Sequence, residues 1–68
     1  MNKEAIKGFI AWLDGAQADE IRAHQAFILA SLEEIRTAEG KADVRLALRL
    51  IDEELLARMY PGAVQNQK

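Results

Sequence analysis

The stretch from Ala42 to Tyr60, ADVRLALRLIDEELLARMY, decides the fold because its large apolar residues recur with the period of an α-helix. One face of this helix carries apolar side chains at intervals of three or four residues: Val44, Leu48, Ile51, Leu55 and Met59. Three further leucines flank that face: Leu46, Leu50 and Leu56. A helix that is apolar on more than one side needs more than one neighbour to cover it.

Glycine and proline divide the rest of the chain around this stretch. Gly15 and Gly40 each follow an acidic residue at the end of a periodic segment, and Pro61-Gly62 follows the last segment; such positions are typical of helix C-termini. The sequence therefore predicts helices over about 3–14, 18–38 and 42–60. We expect these helices to form a single domain over residues 1–62, followed by a disordered polar tail over residues 63–68.

The two long predicted helices are joined by only a few residues around Gly40, which favours an antiparallel hairpin. The first helix is short and covers only part of the apolar surface that the hairpin leaves over. We therefore expect an all-α fold: a short N-terminal helix plus a long antiparallel helical hairpin that dimerises into a helical bundle.

The small size of the chain also favours association. A chain of 68 residues buries only about 60% of its unfolded surface, and small domains compensate with disulfides, metals or oligomerisation. The sequence has no cysteine and one histidine, which disfavours disulfides, thiolate zinc sites and iron–sulfur clusters. We expect no cofactor and no metal, and a homodimer as the stabilising device.

Charge and hydropathy indicate the cellular location of the chain and the classes of partner that it disfavours. Nine basic and eleven acidic residues are interleaved, with a net charge of −2, so there is no broad positive field for nucleic acid or anionic lipid. No window approaches the roughly 20 apolar residues of a membrane span. The segment 1–5 carries an acid and does not resemble a secretory signal. We expect a cytoplasmic protein without a membrane partner.

The inventory of reactive side chains argues against an enzyme. One serine, Ser31, one threonine, Thr37, and one histidine, His24, provide almost no material for a nucleophilic triad. His24 lies beside the apolar stripe of the second helix, one turn after Glu20. It is interpreted either as a boundary histidine bonded to Glu20 or to its own helix, or as a pH-sensitive contact in a dimer seam.

The apolar residues left outside the hairpin seam are the candidate partner-binding residues: Phe9, Trp12, Phe27, Leu46 and Leu50. Aromatic residues are enriched in binding hot spots, although Trp12 also fits a packing role. The sequence thus predicts a non-enzymatic protein–protein interaction module. We expect a small bacterial or phage-type adaptor, chaperone or inhibitor that regulates a larger, unidentified protein through an apolar helical surface.

The alternative function is a small dimeric nucleic-acid-binding regulator. Lys41, Arg45 and Arg49 recur every four residues and form a basic ridge on the third helix. The ridge would give a weak, salt-sensitive phosphate contact, or it would be balanced by acidic residues of the second helix. The acidic balance of the chain and the absence of interleaved aromatic residues make nucleic acid the less favoured partner.

Overall fold

The computed structural model describes residues 2–60, which form three helices. These are α1 (Lys3–Gly15), α2 (Ala18–Leu32) and α3 (Ala38–Met59), with no strand among the residues that the structure describes. The predicted all-α class is confirmed. The predicted stop at Pro61-Gly62 and the predicted tail 63–68 lie outside the described residues.

α1 begins and ends close to the predicted positions. The side chain of Asn2 accepts a hydrogen bond from the backbone N–H of Ala5 at 2.8 Å, which satisfies one of the free amides of the first turn. The helix ends at Gly15, where the N–H of Ala16 donates to the carbonyl of Trp12 at 2.9 Å. The side-chain cap of Asn2 therefore sets the start of α1, and the helix ends where the backbone of Ala16 becomes extended.

The connection between α2 and α3 differs from the prediction. α2 ends at Leu32 rather than at residue 38, and α3 begins at Ala38 rather than at residue 42, so Gly40 lies inside a helix. The hydroxyl of Thr37 caps α3 by accepting the Gly40 N–H at 3.0 Å. The predicted break at Gly40 is wrong because the cap at Thr37, with Glu39 in the first turn, starts the helix before the glycine.

The core is small and lies where the three helices meet. Only five residues among 2–60 are buried: Leu13, Ala16, Ile21, Ala47 and Ile51. Ile21 of α2 and Ile51 of α3 are completely covered, and Leu13 of α1 packs in the same cluster. α3 contacts both other helices and is the element on which the fold is assembled.

One arginine connects the end of α3 to the end of α1. The guanidinium of Arg58 donates to the carbonyl of Leu13 at 2.8 Å in a partly buried position, and also to the carboxylate of Glu54 at 2.9 Å. The carbonyls of the last helical turn lack partners within their own helix and carry a partial negative charge, which a cation stabilises. Arg58 thereby attaches α1 to α3 by a polar contact beside the apolar core.

The two helical glycines are expected to respond differently to alanine. An added Cβ at Gly8 meets no atom within 4 Å, whereas at Gly40 it would lie 2.6 Å from Ile35 Cγ2 and 2.9 Å from the capping hydroxyl of Thr37. Gly8→Ala should therefore raise the free energy of unfolding by about 0.5–1 kcal/mol, and Gly40→Ala should lower it. Urea denaturation followed by circular dichroism at one protein concentration measures both. Equal stabilisation by the two changes would contradict the cap described at Thr37.

Arg58→Ala is expected to lower the free energy of unfolding by about 1–2 kcal/mol, because it removes a charged hydrogen bond from a partly buried carbonyl. Arg49→Ala is the matched control. Arg49 also pairs with a glutamate one turn along α3, but this pair is exposed and should contribute less than about 0.5 kcal/mol. The same denaturation experiment compares the two variants, and an equal loss would argue against the contact between α1 and α3.

Candidate interaction surfaces

Four rings from α1 and α2 lie side by side and form an aromatic strip, defined here as Phe9, Trp12, His24 and Phe27. The ring centroids of Trp12 and His24 are 5.0 Å apart with an edge-on geometry. Phe9 lies 6.0 Å from Trp12, and Phe27 lies 6.3 Å from His24. Each helix contributes two rings three residues apart, a spacing that places side chains on one helical face.

The aromatic strip runs from the core to solvent. Phe9 packs against the core cluster, His24 is partly buried, and Trp12 is 39% exposed. Phe27 is 68% exposed, although it is a large apolar side chain within a regular helix. The rings hold one another in place by offset and edge-on contacts, which are favourable beyond their area. The strip therefore presents an ordered apolar surface to solvent.

His24 is the link between the two helices in this strip. Its imidazole contacts Phe9 and Trp12 of α1 and Phe27 of α2. The carboxylate of Glu20, which was one predicted partner of His24, instead accepts the backbone N–H of Gln17 at 3.0 Å. The role of His24 seen within residues 2–60 is thus ring packing.

A second apolar surface is the α1–α3 groove, an open groove of about 790 Å³ between these two helices. Its apolar lining consists of Ile10, Ala11, Leu13, Leu50, Leu56 and Ala57. Ile10 is 47% exposed and Leu56 is 52% exposed. Leu13 and Leu50 form its floor, since they belong to the core or pack against it. The volume of the groove lies within the range of roughly 300–1,000 Å³ that is typical of binding sites in proteins.

Charged residues form the rim of the α1–α3 groove. Lys7 and Asp14 stand on the α1 side, and Glu53 and Glu54 stand on the α3 side. Glu54 is paired with Arg58 at 2.9 Å and Glu53 with Arg49 at 3.4 Å, so both glutamates of the rim are balanced within the chain.

The basic ridge of Lys41, Arg45 and Arg49 lies exposed along the first half of α3. Arg45 and Arg49 line a shallow recess together with Ala42 and Leu46. Arg49 is engaged by Glu53. The ridge accordingly carries less free positive charge than the sequence pattern indicates.

The structure brings three of the five predicted partner-binding residues together. Phe9, Trp12 and Phe27 share the aromatic strip, whereas Leu46 lies at the recess beside the basic ridge and Leu50 lies in the α1–α3 groove. The sequence did not identify Ile10 and Leu56 as candidate partner-binding residues. In the sequence, Ile10 belongs to the apolar face of α1 together with Leu13. The structure shows that the Ile10 side chain is nevertheless about half exposed.

Among residues 2–60, no group of three or more His, Cys, Asp or Glu side chains is placed to hold a metal ion. None of the three helices in the same range combines the length and the apolar content that crossing a bilayer requires.

Comparisons of the chain with protein-family models, with curated proteins and with solved structures give no match.

Proposed function

We propose that this chain is a non-enzymatic protein–protein interaction module, a small bacterial or phage-type adaptor, chaperone or inhibitor that acts in the cytoplasm. It binds a larger protein through an apolar helical surface and regulates it, and it also associates with itself. The observation that carries the proposal is Phe27, which is 68% exposed at the solvent end of the aromatic strip.

The exposure of Phe27 supports binding because most of this apolar side chain is not buried within the chain itself. Burying a phenylalanine side chain stabilises a protein by about 1.5–3 kcal/mol, and this chain has only five buried residues among 2–60. A contiguous exposed apolar patch on a soluble protein typically marks an interaction site. Phe27 therefore lies where a partner protein would cover it.

The composition of the aromatic strip also fits a protein partner. Interface hot spots are enriched in aromatic side chains that are ordered before binding, because less conformational entropy is lost when the partner arrives. Trp12 of α1 packs against Phe9 of the same helix and against His24 of α2. Phe27 of α2 also packs against His24. An amphipathic helix or an apolar loop of a larger protein would bind across these rings.

We further propose that α2 and α3 form an antiparallel helical hairpin and that the protein is a homodimer. The connection over residues 33–37 is short, and the two helices contact each other, a combination typical of antiparallel neighbours. The small core supports association, since small domains without disulfides or metals are commonly stabilised by oligomerisation.

Phe27→Asp is expected to weaken partner binding by about 30-fold or more, because a charge replaces a hot-spot ring. Leu29→Asp is the matched control: Leu29 is 50% exposed on the same helix but is not part of the aromatic strip. The tagged protein and both variants are first used as baits in an extract of the source cells, and retained proteins are quantified by mass spectrometry. A retained protein is then purified and titrated with each chain.

The fluorescence of Trp12, the only tryptophan of the chain, reports the binding directly. Binding to the strip should shift its emission, and Leu29→Asp should bind as the unmodified chain does. Circular dichroism checks that both variants keep their helical content. Equal weakening by the two variants would show that the strip is not the binding surface.

A further inference from the structure

We infer that the α1–α3 groove is the self-association surface of this protein and that its occupant is helix α1 of a second copy. The two copies are related by a two-fold axis beside Ile10 and Ala11, so that each α1 runs antiparallel to the other. This inference rests on the self-association within the proposed function and names its surface.

The charges of α1 are self-complementary in this arrangement. Lys7 and Asp14 lie on the groove rim seven residues apart, which is about two helical turns and places them on the same face of α1. A two-fold axis midway between them brings Lys7 opposite Asp14 of the second copy, and Asp14 opposite Lys7. Every pair is thereby made twice, as a symmetric dimer interface requires.

These two residues are the unbalanced charges of the rim. Glu53 and Glu54 are neutralised by Arg49 and Arg58 of α3. Within residues 2–60, the side chains of Lys7 and Asp14 have no ion pair and no hydrogen bond. The rim of the groove therefore presents one free cation and one free anion on α1, and a second copy satisfies both.

The apolar part of the groove fits the same occupant. Ile10 and Leu56 are about half exposed, and α1 of a second copy lying over the groove would cover both. Ala11 lies at the axis, where its small side chain lets the two α1 helices approach closely. The five buried residues among 2–60 make a core small enough to need this extra burial.

The groove and the aromatic strip occupy different flanks of α1. Ile10 faces the groove and Trp12 belongs to the strip, and side chains two residues apart do not share a helical face. A dimer through the groove thus leaves Phe27 and Trp12 free for the proposed protein partner.

Charge reversal tests the inference, with molar mass measured by light scattering over a concentration series at low ionic strength. The unmodified chain should be a dimer. Lys7→Glu and Asp14→Lys should each raise the dimer dissociation constant about tenfold or more, because each replaces two attractive pairs by two repulsive ones. An equimolar mixture of the two variants should form a heterodimer of nearly original affinity, since its two copies have opposite charges at both pairs.

Controls separate charge position from net charge and from folding. Lys41→Glu and Glu33→Lys carry the same charge changes on exposed residues outside the groove and should leave the dissociation constant unchanged. The double variant Lys7→Glu, Asp14→Lys restores both pairs within one chain, so it should dimerise as the original does. Circular dichroism should show the same helical content in every variant.

Each contrary outcome has a distinct meaning. A dimer that neither reversal weakens, or a mixture and a double variant that stay monomeric, would overturn the groove as the interface while the proposed self-association stands. A monomer at all concentrations would overturn both. The titration of Phe27→Asp with the protein partner tests partner binding separately, so its result does not depend on the outcome for the dimer.

Discussion

The burial of Ile51 against Ile21 and Leu13 is the contact on which the rest of the structure depends. Each of these residues comes from a different helix, so this one cluster fixes the positions of α1 and α2 on α3. An isolated helix of 13 residues such as α1 is marginal in water. Its helical state, and with it the aromatic strip and the groove, is maintained by Leu13 and Ala16 in the core and by the bond from Arg58.

Hydrophobic periodicity predicted the helical type of the segments, and the glycine and proline positions predicted their number. The inward residues Leu13, Ile21 and Ile51 all lie on stripes visible in the sequence. The prediction is wrong at the α2–α3 connection, where Gly40 lies inside α3 and does not end a helix. Glycine ends a helix only when no stronger signal overrides it, and here the hydroxyl of Thr37 captures the Gly40 amide and keeps this residue within the first turn of α3. Thr37 followed by Glu39 was the sequence signal that could have located this start.

The candidate surfaces were predictable only in part, because they depend on how the helices are arranged relative to one another. Phe27 and Trp12 could be selected from sequence because they are large residues outside the main stripes. The joining of their helices through His24 depends on the crossing of α1 and α2, which no spacing within one helix encodes. Ile10 and Leu56 were missed because a helical wheel gives the direction of a side chain but not how far the neighbouring helix extends over it.

α1 contributes side chains to both apolar surfaces. Phe9 and Trp12 belong to the aromatic strip, while Ile10 lines the α1–α3 groove, so any contact on either flank also holds α1 on the core. A ligand that binds only the docked form of α1 stabilises that form by mass action. Self-association at the groove would therefore strengthen partner binding at the strip, and by reciprocity the partner would strengthen the dimer. The coupling would act through the population of docked α1, because both surfaces include side chains of α1 in its docked position.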